Sequence, residues 1–139
     1  MKLSTKTRYS LRILLHIAME SKRDGLAAGK DISTKQGINE PYLEQIMITL
    51  KHAGFVKTVR GRNGGYKLAK KTEEINLLQI IEAVEGQLEL GDNDETVSRE
   101  SEAAQQVWQK LSKQLKLEAQ SLTLFKIIND ELRNYDYLI

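Results

Sequence analysis

Apolar side chains at Leu11, Leu14, Leu15, Ala18 and Met19 recur at helical spacing and predict a helix from about Thr5 to Glu20, with Ser4 or Thr5 as its cap. A loop follows from Asp24 to Gly29, and then a short helix around Lys30 to Gln36 that Gly37 stops. Asn39 is placed to cap a third helix. Pro41 falls in its first turn, where a missing amide proton costs nothing, and Leu43, Ile46, Met47 and Leu50 form its buried stripe up to Gly54.

The period then changes. Phe55 to Arg60 and Tyr66 to Ala69 read as two short strands around a glycine-rich turn, with Asn63-Gly64 as the hairpin signal. After a polar link at Lys70 to Glu74, Asn76 and Gln79 have the spacing of a capping box, opening a helix with Leu77, Ile80, Ile81 and Val84 inward and Gly86 as its stop. Residues 87–102 are acidic and poor in apolar side chains, the pattern of a linker or mobile loop. Beyond them Ala104, Trp108, Leu111, Leu115 and Leu122 keep a heptad seam that only Glu118 interrupts, and such a seam wants a partner helix. A further apolar stripe at Leu124, Ile127, Ile128 and Leu132 precedes an aromatic ending from Tyr135 to Ile139.

These elements make a mainly α chain with a small β-hairpin wing. The predicted layout is a winged helix-turn-helix DNA-binding domain at 1–86, an acidic linker at 87–102, and a long dimerisation helix with a C-terminal helix or tail at 103–139.

Charge sharpens this picture. The net charge of the 139 residues is only +2, yet residues 1–72 carry 15 basic against 5 acidic side chains, net +10, and residues 73–139 carry 6 against 14, net −8. A basic half beside an acidic half points to a polyanion-binding module joined to a part that stays off the polyanion. In a winged helix the second helix of the pair lies in the major groove, so its outward face must be polar. Here that face reads Tyr42, Glu44, Gln45, Ile48 and Lys51. Gln45 can pair with adenine through two hydrogen bonds, and Glu44 can accept from a cytosine amino group. Arg60, Arg62 and Asn63 sit at a hairpin tip slim enough for a minor groove, whose narrow width concentrates negative potential. Ser4, Thr5, Lys6 and Arg8, at the start of the first helix, are the candidate phosphate contacts.

Other chemistries find little support. There is no cysteine, which removes disulfides, thiolate nucleophiles and cysteine-ligated metals, and His16 and His52 alone make no metal site. His16 has no acid or nucleophile beside it, and the glycine-rich segment fails as a phosphate loop because Tyr66 takes the place of the second glycine. The chain therefore reads as a non-enzyme without cofactor. No apolar run approaches the roughly 18 residues of a membrane span and the first twenty residues are too polar for a signal peptide, so a cytoplasmic protein is expected. The competing reading is an interaction module whose acidic half binds a partner enzyme, with DNA secondary.

The opening stretch Met1 to Tyr9 (MKLSTKTRY), the run Tyr42 to Gln45 (YLEQ), Val59 to Gly61 with Gly64 to Tyr66, and Ile80 to Gly86 (IIEAVEG) resemble the Rrf-two family of IscR/NsrR/CymR regulators. The resemblance implies a winged-helix regulator, most readily a repressor, that binds a pseudo-palindromic operator on double-stranded DNA as a homodimer, its long helix crossing to the partner subunit. It also places the residues matching Tyr42, Glu44 and Gln45 in the recognition helix and Arg60 at the wing. Pro41 stands where relatives carry a serine that reaches DNA. Relatives that hold an iron–sulfur cluster use three cysteines before the long helix. Leu90 to Val107 has none, and Gln105 falls about where some relatives supply a histidine. The chain thus resembles a cluster-free branch that governs cysteine metabolism, with a protein or small-molecule effector as the source of control.

Overall fold

Ser4 keeps an extended backbone and its hydroxyl accepts from the Thr7 amide, which starts helix α1 (Thr5–Glu20) in the computed structural model, where residues 2–22, 24–91 and 94–132 are described. The stripe α1 buries is rotated from the expected one. Thr7, Ser10, Ile13, Leu14, His16 and Ile17 turn inward, whereas Leu11, Leu15 and Ala18 are half-buried and Met19 is exposed. The reason is that α1 is the central element, packed by α2 (Gly29–Gln36), α3 (Glu40–His52), α4 (Leu77–Glu85), the hairpin and α6 (Leu124–Ile127). Small polar side chains can then face inward because partners meet them. The Ser10 hydroxyl donates to the Lys6 carbonyl at 2.7 Å, and the Thr7 hydroxyl donates to Glu85 at 2.6 Å. Buried His16 lies 3.0 Å from the Gln36 amide nitrogen, and desolvation lowers its pKa below the usual 6.5.

The end signals act where expected. Gly37, at φ +66°, closes α2 in the left-handed region, and Asn39 caps α3 by accepting from the Tyr42 amide at 2.9 Å. Leu43, Ile46, Met47 and Leu50 form the buried stripe of α3. Strands β1 (Val56–Val59) and β2 (Gly65–Leu68) pair antiparallel, with Val56 opposite Leu68 and Val59 opposite Gly65. The five-residue connection differs from an Asn-Gly hairpin turn. Its left-handed residue is Gly61, at φ +117°, and the turn closes from the Gly64 amide to the Gly61 carbonyl at 3.0 Å, with Arg62 and Asn63 between them. The polar link forms a 3₁₀ turn at Thr72–Glu74. The capping box then forms at α4, where Asn76 and Gln79 exchange side-chain to backbone hydrogen bonds of 2.9 and 3.0 Å. Leu78, Ile80 and Ile81 fill the core from α4, while Leu77 and Val84 are only half-buried.

Helix α5 (Arg99–Ser121) begins inside the stretch expected to be linker, because Ser98 and Ser101 supply a second capping box. Its inner face is made of small residues, the buried Ser112 and Ala119, so it can lie close to α4. The preceding loop is stitched onto it: the Leu90 amide donates to the Ser112 hydroxyl at 2.9 Å, and Lys116 pairs with Glu89. At the far end the Leu77 amide donates to the Leu122 carbonyl and the Leu124 amide to the Ile75 carbonyl, at 2.8 and 2.9 Å. Leu124 is fully buried in the same cluster as Ile13, Ile32, Ile46, Leu50 and Ile80. A π-helical turn at Ile128–Leu132 follows α6, and the aromatic ending from Tyr135 to Ile139 lies outside the described residues.

Two isoleucines two positions apart on α3 test this packing. Ile46 is fully buried and Ile48 is 67% exposed. Ile46→Ala is expected to cost about 2–5 kcal/mol in urea unfolding, and Ile48→Ala to stay within about 0.5 kcal/mol of the parent.

Candidate nucleic-acid interface

The orientation of α3 follows from its stripe. At about 100° per residue, Pro41, Gln45, Ile48 and His52 share an arc of about 60° opposite the buried side chains, and all four are exposed. Glu44 and Lys51, also exposed, flank this arc on one side. Tyr42 flanks it on the other. It is half-buried, its ring meeting Tyr9 edge-on at 6.0 Å between centroids, and the Arg12 guanidinium stacks over Tyr9 at 4.7 Å. Arg12 also donates to the Gln36 carbonyl, so one cluster of rings and cation locks α1, α2 and α3 together. His52 escaped the sequence reading of this face, and Pro41 entered it only through the family resemblance, although the spacing 41, 45, 48, 52 contains the signal.

The hairpin stands beside the first turn of α3. Ala27 exchanges two backbone hydrogen bonds with Tyr66, at 2.8 and 2.9 Å, adding a single antiparallel bridge to the edge of the two-stranded wing. This close approach requires glycine. A Cβ on Gly65 would lie 2.5 Å from the Ala27 carbonyl oxygen, and one on Gly64 would run into the Val59 carbonyl. A cleft of about 240 Å³ separates the two parts, with Glu40 and Glu44 from α3 facing Thr58 and Tyr66 from the hairpin. Burial, reinforced by the charge of Glu44, pushes the Tyr66 hydroxyl above its ordinary pKa of 10.0. Tyr66 and Glu44 thus face one another across this cleft, a juxtaposition of α3 and hairpin that spacing along the chain does not reveal.

Arg60, Arg62 and Asn63 are all exposed at the tip. Arg62 and Asn63 also line a cleft of about 340 Å³ with Asp24 and Asp31, beside the loop between α1 and α2. Around the start of α1, Ser4 is committed internally: its amide donates to Glu85 at 2.8 Å while its hydroxyl serves the cap. Thr5 accepts from Arg8 at 3.1 Å, and Thr5 and Arg8 are exposed, with Lys6 half-buried. Hydrogen bonds from Thr7 and Ser4 hold the Glu85 carboxyl below its usual pKa.

The seam residues lie away from this surface, on α5. Ala104, Trp108, Leu111 and Leu115 are exposed along one side, whereas Leu122 is half-buried at the C-cap, its carbonyl engaged by Leu77. Among the described residues no helix is long and apolar enough to cross a membrane, and no three His, Cys, Asp or Glu side chains come together as a metal site.

A family model described as "Rrf2: Iron-dependent Transcriptional regulator" matches residues 3–130. The chain is similar to the HTH-type transcriptional regulator IscR of Cereibacter sphaeroides, with 36% identity across 96% of this chain and 90% of that protein. It is similar too to the HTH-type transcriptional regulator CymR of Bacillus subtilis, at 34% identity over 89% and 87%. Among solved structures, "CymR (YrzC) the Global Cysteine Regulator of B. subtilis" superposes with a TM-score of 0.79 at 32% identity, covering 93% of this chain and 97% of that one. The IscR of T. potens superposes at 0.74 with 33% identity over 94% and 88%.

The glycine constraint is directly testable. Gly64→Ala is expected to displace the wing, seen as faster hydrogen exchange at the Ala27 and Tyr66 amides with protection of the α3 core amides retained. Unchanged exchange at those two amides would mean the wing absorbs the methyl.

Proposed function

Because the chain belongs to the Rrf2 family of transcriptional regulators, we propose that it acts as a homodimeric repressor on a pseudo-palindromic operator and holds no iron–sulfur cluster. In this reading α3 enters the major groove with Gln45 and Ile48 at the base edges and Glu44 and Lys51 beside them, and Tyr42 braces the helix against α1. Arg60, Arg62 and Asn63 reach the adjacent minor groove, and the phosphates run past the start of α1, where Lys6 and Arg8 supply charge and Thr5 a hydroxyl. The observation that carries the proposal is the pinned wing. It keeps two guanidinium groups and the open face of α3 on one unit of a half-chain with net charge +10.

The exposed side of α5 supplies the dimer contact. Trp108, Leu111 and Leu115 leave an apolar ridge that a second copy covers, and two-fold symmetry then demands two half-sites in the operator. Buried Ser112 and Ala119 lie within about 90° of that ridge around the helix, so it runs beside the stripe that packs on α4.

The residues of this chain do not fit an iron–sulfur cluster. It has no cysteine, and the cleft between the 87–91 loop and α5 is lined by side chains such as Gln87, Glu89, Gln105, Gln109, Lys113 and Lys116. Amides and ammonium groups are poor company for iron beside thiolates. Control then rests with a partner protein or a small molecule. The likeness to a solved structure titled a global cysteine regulator supports cysteine-linked genes as the targets.

Binding to a duplex selected by the protein itself, followed over a salt series, tests the central claim. Neutralising roughly 6–10 phosphates per dimer lowers affinity about a thousandfold or more between roughly 50 and 200 mM salt; absent or salt-insensitive binding removes the reading. Arg60→Ala is expected to weaken that binding by about 1–3 kcal/mol. For the dimer, replacing Trp108, Leu111 and Leu115 together by Ala should halve the mass in sedimentation equilibrium, and a persistent dimer would place the contact elsewhere.

A further inference from the structure

Ile48 is an anomaly on its own helix. It is 67% exposed, near the centre of the outward face of α3, between Gln45 and His52 and next to Lys51. A β-branched side chain facing solvent does nothing for a helix, since its restricted χ1 lowers helix propensity. Among the described residues five other large exposed apolar side chains are on α5 and Leu3, Met19, Val59, Val97 and Phe125 are scattered over other segments, but on α3 Ile48 alone is of this kind.

We propose that Ile48 reads the C5-methyl group of a thymine in each half-site, so that it sets base preference by apolar contact while its neighbours use hydrogen bonds. This rests on the DNA-binding reading above and adds a determinant to it. The chemistry is specific because thymine alone among the four bases carries an apolar group in the major groove. The stiff side chain suits the role, since its methyl groups are held in one rotamer and little freedom is lost on contact. Placement along the helix narrows the position. Three residues rise about 4.5 Å, on the order of one base-pair step, so the thymine lies within one or two base pairs of the position that Gln45 reads.

The test uses a duplex selected from random sequence by the wild-type protein, in which each symmetric pair of thymines is replaced in turn by deoxyuridine. That change removes the methyl group and keeps every hydrogen-bonding atom. One pair of positions is expected to lose about fourfold in affinity per half-site, about fifteenfold for the two together, the value of burying one methyl group at each. Ile48→Ala should bind thymine and deoxyuridine equally at that pair and keep the wild-type response elsewhere. Its outward position leaves folding intact, which the unfolding comparison with Ile46→Ala verifies independently. A wild-type scan flat within twofold, or the same sensitivity retained by Ile48→Ala, overturns the assignment and leaves the DNA-binding reading standing. Failure to select any duplex overturns both.

Discussion

Between Ala27 and Tyr66 two backbone hydrogen bonds tie the hairpin to the chain that connects α1 with α2. A two-stranded hairpin of four-residue strands is marginal alone, and each such bond contributes only about 0.5–1.5 kcal/mol. Position matters more than strength here. The tie falls at Tyr66, one residue pair from the turn of the hairpin, just where Gly65 lets main chain approach main chain. Tyr66 extends the hold, because its ring packs on the core and sits 3.2 Å from where a Cβ of Gly29 would be, at the first residue of α2. The start of α2, the hairpin and the first turn of α3 are thereby fixed to one another, and the spacing between α3 and the tip loop is set.

The rest of the molecule separates its two kinds of surface by the size and charge of side chains. The half that includes α1 to α3 and the hairpin carries cations outward around a core of isoleucine and leucine. On α5 the buried positions are the small Ser112 and Ala119, so packing against α4 is close, and the part-exposed Trp108, Leu111 and Leu115 border that contact. Acidic residues concentrate in the same half, net −8 over residues 73–139, so that half repels a polyanion.

How much of this was legible depended on range. Caps, stops and the hairpin depend on residues within four or five positions of one another: Asn39 with Tyr42, Asn76 with Gln79, Gly37 after α2. They read correctly. The face of α1 did not, because the inward Thr7 and Ser10 are satisfied by partners such as Glu85, 78 residues away from Thr7. On α4 it is Leu78 that is buried while Leu77 is half-buried, the Leu77 amide meeting the Leu122 carbonyl from a distant part of the chain. At the candidate interface the outward face of α3 was visible as a helical period, and Tyr42, a first-turn aromatic of the kind that packs on a neighbouring helix, meets Tyr9, a partner that the period of α3 alone does not name. The hairpin signal was right in kind but misplaced in detail, since Gly64 is needed for room and Gly61 for its dihedral angle.

The two backbone bonds that join Leu77 to Leu122 and Ile75 to Leu124 bring Leu124 into the core that α1, α2 and α3 share. That core is therefore discontinuous in sequence, and its last piece arrives more than a hundred residues after its first. As the chain emerges from the ribosome, α1 to α4 are complete long before the residue that closes them, and Ile75 waits with an unpaired carbonyl until the far side of α5 has been made. The order of synthesis therefore delays full burial of this core until the whole of α5 has been made.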